Sequence, residues 1–164
     1  MVIRVAAIGT GYFSQYHYDG WSRIPDASLV GICTRSNKEK LHDIASRYGV
    51  NDTYLDAATM LDEIEPDLVD IITTPETHMK FVALASERGI PAICQKPLAP
   101  TYEEACEIVT LAEEADSLLV VHENWRFKPW FREIRAMIDS GIIGQPFSIA
   151  FRLRPGDGQG PDAY

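Results

Sequence analysis

The opening of the chain constrains its fold more than any other segment. Val2 to Ile8 is a nearly unbroken apolar run that ends directly in Gly9-Thr10-Gly11-Tyr12-Phe13-Ser14, where a helical pattern begins. A continuous apolar run closed by glycine reads as a central strand covered on both faces. The first glycine permits a tight turn after that strand. The second lets a pyrophosphate approach the backbone, and the N–H groups at the start of the following helix then hold the anion. The third position of this G-x-G-x-x-G pattern is Ser14, small enough to keep the helix close to the strand. A lone glycine pattern is weak; the strand–turn–helix setting is what gives this one weight.

The rest of the chain repeats the alternation. Strand-like runs at 28–33, around Thr53-Tyr54, and at 67–72, 90–94 and 117–121 are separated by helical patterns at 36–48, 57–64, 75–88 and 101–115. Ser36 with Glu39, and Thr101 with Glu104, have capping-box spacing, while Gly49 and Gly89 stand where helices end. Strands alternating with helices predict an α/β fold with a doubly wound, mostly parallel sheet. A further helix is predicted at 128–139.

Beyond Gln145 the pattern changes. Phe147, Ile149, Phe151 and Leu153 alternate with polar or small residues. Period two predicts a half-buried strand of an antiparallel sheet. The expected organisation is one domain over residues 1–144, with residues 145–164 supplying only the first strand and a loop of a second, α+β substrate domain.

The charge balance, 24 acidic against 15 basic residues for a net −9, argues against nucleic acid as a partner, because phosphates demand a clustered basic face. No apolar run approaches the ~20 residues that span a bilayer. Cys33, Cys94 and Cys106 lack C-x-x-C spacing, and the first two end apolar runs, as small core residues of a reducing compartment do. A cytoplasmic protein without a metal site is expected.

About 20 residues after the glycine turn, at the end of the second strand, such a site reads the ribose next to the adenine. The residues there are Thr34, Arg35 and Ser36, without the acid that NAD sites place there. The reading is a nicotinamide dinucleotide, NAD(P), with NADP favoured; the alternative for Arg35 is a solvated side chain stacking on the adenine.

Four further pieces carry a family signature: Thr74-Pro75-Glu76-Thr77-His78, Gln95-Lys96-Pro97-Leu98-Ala99, Glu123-Asn124-Trp125-Arg126-Phe127 and Gly141-Ile142-Ile143-Gly144. With Ile8-Gly9-Thr10-Gly11 they resemble, in order and at similar spacing, the N-terminal Rossmann domain of the Gfo/Idh/MocA oxidoreductases. The resemblance implies a sugar or cyclitol dehydrogenase scaffold, in which hydride passes between a nicotinamide and a carbinol carbon. It also implies that Lys96 is the catalytic lysine. Glutamate precedes that lysine in the family; here Gln95 keeps the length and one acceptor and loses the charge. The cofactor-facing set is then Gly9, Thr10, Gly11, Tyr12, Phe13, Thr34, Arg35, Ser36, Thr73, Thr74, Pro75, His78, Gln95, Lys96, Asn124 and Arg126. His78 reads equally as a packing residue of its helix, and Arg126 as half of an ion pair at a domain boundary. His17 and Tyr18 read as helix surface and packing. The substrate is expected to be a small sugar or polyol, the assembly a homo-oligomer, and this chain, the cofactor-binding half, inactive by itself. A non-catalytic dinucleotide sensor on the same fold is the alternative.

Overall fold

Val5, Ala6, Ala7 and Ile8 are all but inaccessible to solvent. Each large aliphatic side chain so buried contributes ~1.5–3 kcal/mol, and this sets β1 (Ile3–Ile8) at the centre of the sheet. In the computed structural model, which describes residues 1–152, β1 pairs in parallel with β2 (Ala27–Cys33) on one side and β4 (Leu68–Ile71) on the other. With β3 (Asp52–Tyr54), β5 (Ala92–Gln95) and β6 (Leu119–His122) the order is β3-β2-β1-β4-β5-β6, every pairing parallel. This is the doubly wound fold expected. The chain runs outward from β1 to β3 and then returns to β4 beside β1. Sheets of this kind open their ligand crevice at that reversal, beyond the carboxyl ends of the strands.

Alternation along β1 feeds two cores. Ala6 and Ile8 pack with Met60 and Leu61 of α3 (Ala57–Ile64), Val82 and Ala85 of α4 (His78–Ser86), and Ile108 of α5 (Tyr102–Glu114). Ala7 packs with Tyr18 of α1 (Ser14–Trp21) and with Leu41 and Ala45 of α2 (Lys38–Tyr48). Cys33 and Cys94 are buried in the first of these cores. Burial pushes their thiols up to about 11 and about 12, so they serve as small apolar residues.

Local chemistry sets the helix ends. Thr101 Oγ1 accepts the Glu104 N–H at 3.2 Å, as its spacing predicts, and Gly49 closes α2 at φ +68°. The cap of α2, however, is Asn37 rather than Ser36: its Oδ1 accepts the Lys40 N–H at 2.9 Å, and Ser36 stays exposed in the loop before it. The helix expected over 75–88 begins instead as a 3-10 turn, Pro75–Thr77, before α4. There the Thr77 hydroxyl bonds back to Thr73 Oγ1 and the Thr74 carbonyl.

The chain divides into two compact units, Met1–Glu123 and Asn124–Tyr164. The described part of the second holds a 3-10 turn (Asn124–Phe127) and α6 (Pro129–Asp139), whose Trp130, Ile134 and Met137 are exposed. The strand expected over 147–153 is not formed in its described part, residues 147–152; Leu153 lies outside the described residues. Phe147, Ile149 and Phe151 are exposed. Alternation alone does not make a strand, because a strand needs a ladder partner and a surface to cover its apolar face. No helix among the described residues is long and apolar enough to cross a membrane.

Candidate functional site

At the carboxyl end of β1 the two glycines do different jobs. Gly9 sits at φ +126°, and a Cβ there would lie 2.6 Å from the Ile72 carbonyl oxygen, so the fold itself demands glycine. Its N–H donates to Cys33 O at 2.8 Å, and the buried Tyr18 hydroxyl donates to its carbonyl, fixing the start of the turn. A Cβ at Gly11, by contrast, would meet no atom within 4 Å. Nothing in the described residues requires glycine at 11, so what its missing side chain leaves open is access to the backbone from outside. Ser14 Oγ donates to Gly11 O at 2.8 Å, and Phe13, the residue before α1, supplies no capping side-chain hydrogen bond. A glycine-walled turn running into an uncapped helix N-terminus is a fit for a pyrophosphate.

Burial keeps the Tyr18 phenol protonated far above neutral pH, with the nearby Asp70 charge adding to the effect. Tyr18→Phe removes the donor to a buried carbonyl and is expected to cost ~1–3 kcal/mol. A shift in the urea midpoint with unchanged slope would measure it; an unchanged midpoint would contradict this role.

Thr10 and Thr34 share a hydroxyl–hydroxyl hydrogen bond of 2.8 Å, which ties the turn to the end of β2. Arg35 and Ser36 follow, both exposed, and no carboxylate among the described residues pairs with Arg35. At the end of β5 the ammonium of the half-buried Lys96 stands 5.3 Å from the centre of the Phe13 ring, within cation–π range. Lys96 therefore shares a crevice with the glycine turn. The Lys96–Pro97 peptide is cis.

Thr73, Thr74 and Pro75 follow β4 toward the same crevice, with Thr74 exposed. His78 is fully buried, its Nδ1 3.0 Å from Leu98 O and its Nε2 3.1 Å from Thr73 O. The ring braces the loop after β4 against the loop that carries Lys96, the packing alternative of its sequence reading. Asn124 and Arg126 lie in the second unit, both exposed, the Arg126 guanidinium 5.5 Å from the Phe127 ring centre.

Gln95 is buried and wholly engaged inside the protein. Its Oε1 accepts the Lys96 N–H at 2.7 Å, and its Nε2 lies 2.8 Å from His17 Nε2. His17 Nδ1 is 2.9 Å from Asp70 Oδ2, which also accepts the Trp21 indole N–H at 2.7 Å. The His122 ring lies against His17, centre to centre 4.4 Å, and desolvation followed by the neighbouring His17 lowers its basicity. Sequence reasoning missed this cluster. His17 and Tyr18 are interior residues, not helix surface. The available signal was Asp70, an acid inside the apolar run Leu68-Val69-Asp70-Ile71-Ile72. A charge in the middle of a doubly covered strand needs buried donors, and a histidine is one of the few that can supply them.

Residues 3–123 match the family described as the Gfo/Idh/MocA oxidoreductase family, NAD-binding Rossmann fold. The chain belongs to this family. It is 39% identical over 149 residues to a D-apiose dehydrogenase of Paraburkholderia graminis, covering 90% of this chain and 40% of that protein. It is 24% identical over 152 residues to a myo-inositol 2-dehydrogenase of Thermotoga maritima, covering 93% of this chain and 45% of that protein. Among solved structures, an Agrobacterium radiobacter oxidoreductase in complex with NAD+, L-tartaric acid and magnesium superposes with a TM-score of 0.86 at 35% identity, over 90% of this chain and 43% of that one. The chain thus spans less than half the length of these relatives.

Proposed function

We propose that this chain is the cofactor-binding half of an NAD(P)-dependent sugar or cyclitol dehydrogenase. The observation that carries the reading is the Gly9–Ser14 turn, open at Gly11, with the Lys96 ammonium 5.3 Å from the Phe13 ring of that same turn. The turn and the start of α1 hold the pyrophosphate, Thr34, Arg35 and Ser36 meet the adenine-side ribose, and Thr73 to Pro75 line the nicotinamide side. Gln95 and His78 support this crevice from within, and the family resemblance adds Asn124 and Arg126 to the cofactor-binding set. When bound, the nicotinamide supplies hydride-transfer chemistry at a carbinol carbon. Lys96 polarises the substrate oxygen or relays its proton, work for which an ammonium beside the reacting group is suited. The dehydrogenase relatives support a sugar or polyol as substrate. The working assembly is a homo-oligomer in the cytoplasm, with residues 145–164 beginning the substrate domain.

The preferred cofactor in this reading is NADP(H). Thr34 accepts or donates one hydroxyl bond to Thr10, and Arg35, paired with no carboxylate among the described residues, is available to a 2′-phosphate. One charge-assisted contact of ~1.5–3 kcal/mol gives roughly ten- to hundredfold discrimination. Calorimetric titration with NADPH and NADH tests it, and Thr34→Asp is expected to reverse the order. Tighter binding of NADH by the unmodified protein would overturn the preference and leave NAD as the cofactor, as in the Agrobacterium radiobacter complex. Polyol-dependent reduction of NAD(P)+ by a full-length protein carrying this domain tests the activity; cofactor binding without turnover of any polyol would favour a dinucleotide sensor.

A further inference from the structure

We propose that Asp70, His17 and Gln95 form a buried tether that holds the backbone of Lys96, and that the amide at position 95 keeps His17 as the uncharged Nδ1–H imidazole. Donor and acceptor roles along this chain of bonds fix where each proton sits. The Lys96 N–H can only donate, so the Gln95 atom 2.7 Å from it is the carbonyl oxygen. The other end of the side chain is then the NH2, which can only donate. It faces His17 Nε2 at 2.8 Å, so that nitrogen carries a lone pair and the ring proton sits on Nδ1. Nδ1 in turn points at the Asp70 carboxylate, an acceptor, at 2.9 Å. The chain of bonds from Asp70 to Lys96 closes with one proton arrangement. Protonation at His17 Nε2 would set two donors against each other between residues that are 8% exposed, His17 and Gln95 alike. A mismatch so shielded from water is not relieved by hydration.

A carboxylate at position 95 inverts the outcome. Glutamate preserves the length and the acceptor for the Lys96 N–H, but it presents an oxygen to His17 Nε2. The ring then takes a second proton and becomes an imidazolium between two carboxylates. The other groups facing the cluster do not supply that proton in the unmodified protein. His122 of β6, stacked on His17, is held less basic by desolvation, with His17 lowering it further and Asp70 and Glu123 opposing. Cys94 of β5 and Tyr18 of α1 remain protonated, by burial first and the Asp70 charge second. Residue 95 thus sets the proton arrangement of the ring beneath Lys96. The bearing of the tether on turnover rests on the reading of Lys96 above; the tether itself does not.

The test is ring nitrogen-15 spectroscopy of the histidines in the labelled 164-residue chain between about pH 6 and 8, the range in which an ordinary histidine changes charge. The His17 signals are identified by their loss in His17→Gln. The expected result is the neutral Nδ1–H pattern for His17 throughout in the unmodified chain, and protonation of both nitrogens in Gln95→Glu. An Nε2–H or doubly protonated His17 in the unmodified chain overturns the proposal, as does a neutral His17 in a folded Gln95→Glu. In Gln95→Leu the Lys96 amide is expected to exchange with solvent about five- to tenfold faster, as the loss of one hydrogen bond implies. Unchanged exchange there would refute the tether. If Gln95→Leu does not fold, the proton position in the unmodified chain decides alone. None of these readouts involves cofactor or turnover, so a failure here is distinct from a failure of the functional reading.

Discussion

In a catalytically complete protein carrying this domain, Lys96→Ala is expected to lower kcat by about 10²–10⁴, the range that positioned proton transfer and charge stabilisation supply. The dinucleotide Kd should change by less than about tenfold, ~1.4 kcal/mol, because the turn proposed to anchor the pyrophosphate lies on a different loop. The structure explains the split. Lys96 follows β5 at its carboxyl end, its backbone is held by Gln95, and its ammonium rests over Phe13, with no ion pair among the described residues. Removing the side chain therefore takes away a group aimed into the crevice and leaves the glycine turn intact. Steady-state kinetics beside a cofactor titration measures both quantities. Near-normal turnover would reduce Lys96 to a loop residue, whereas equal losses in kcat and in affinity would make it a cofactor anchor.

Gly9→Ala should have the largest effect on stability. Its added Cβ would sit 2.6 Å from the Ile72 oxygen and 2.9 Å from the Ile72 carbonyl carbon, and both are backbone atoms of the segment leaving β4. A φ of +126° is also strained for any side chain. Strain of ~1–3 kcal/mol at such a backbone and overpacking of ~1–3 kcal/mol together give about 2–6 kcal/mol. Domains of this size are stable by only about 5–15 kcal/mol, so a large drop in melting temperature follows. Denaturant unfolding that shows less than about 1 kcal/mol of loss would contradict the close packing of β1 on β4 at this point.

The elements most legible in the sequence are those fixed by local chemistry. The apolar run into Gly9, the Thr101–Glu104 box and Gly49 each name their structure through an interaction a few residues long. Cap choice was less legible, since Ser36 and Asn37 both satisfy the local rule and only the geometry selects Asn37. In residues 147–152, the described part of the strand expected at 147–153, none forms, for the opposite reason: alternation describes what a strand would bury and says nothing about whether a partner strand is present. The Asp70–His17–Gln95 cluster joins residues 53 and 78 positions apart, and no local pattern links them. Its one visible trace was a charge where a continuous apolar strand was expected.

The central claim, that the turn from Gly9 to Ser14 holds a dinucleotide pyrophosphate, is tested most directly at Gly11. A Cβ there would meet no other atom of the described residues within 4 Å, so Gly11→Val is expected to fold with a melting temperature near that of the parent. Its branched side chain would instead occupy the space above the turn through which a phosphate reaches the backbone. NAD(P)H titration followed by energy transfer from the tryptophans compares the two proteins. The account predicts binding by the parent and at least about tenfold weaker binding, ~1.4 kcal/mol or more, by a folded Gly11→Val. Equal affinity in the folded variant would contradict it.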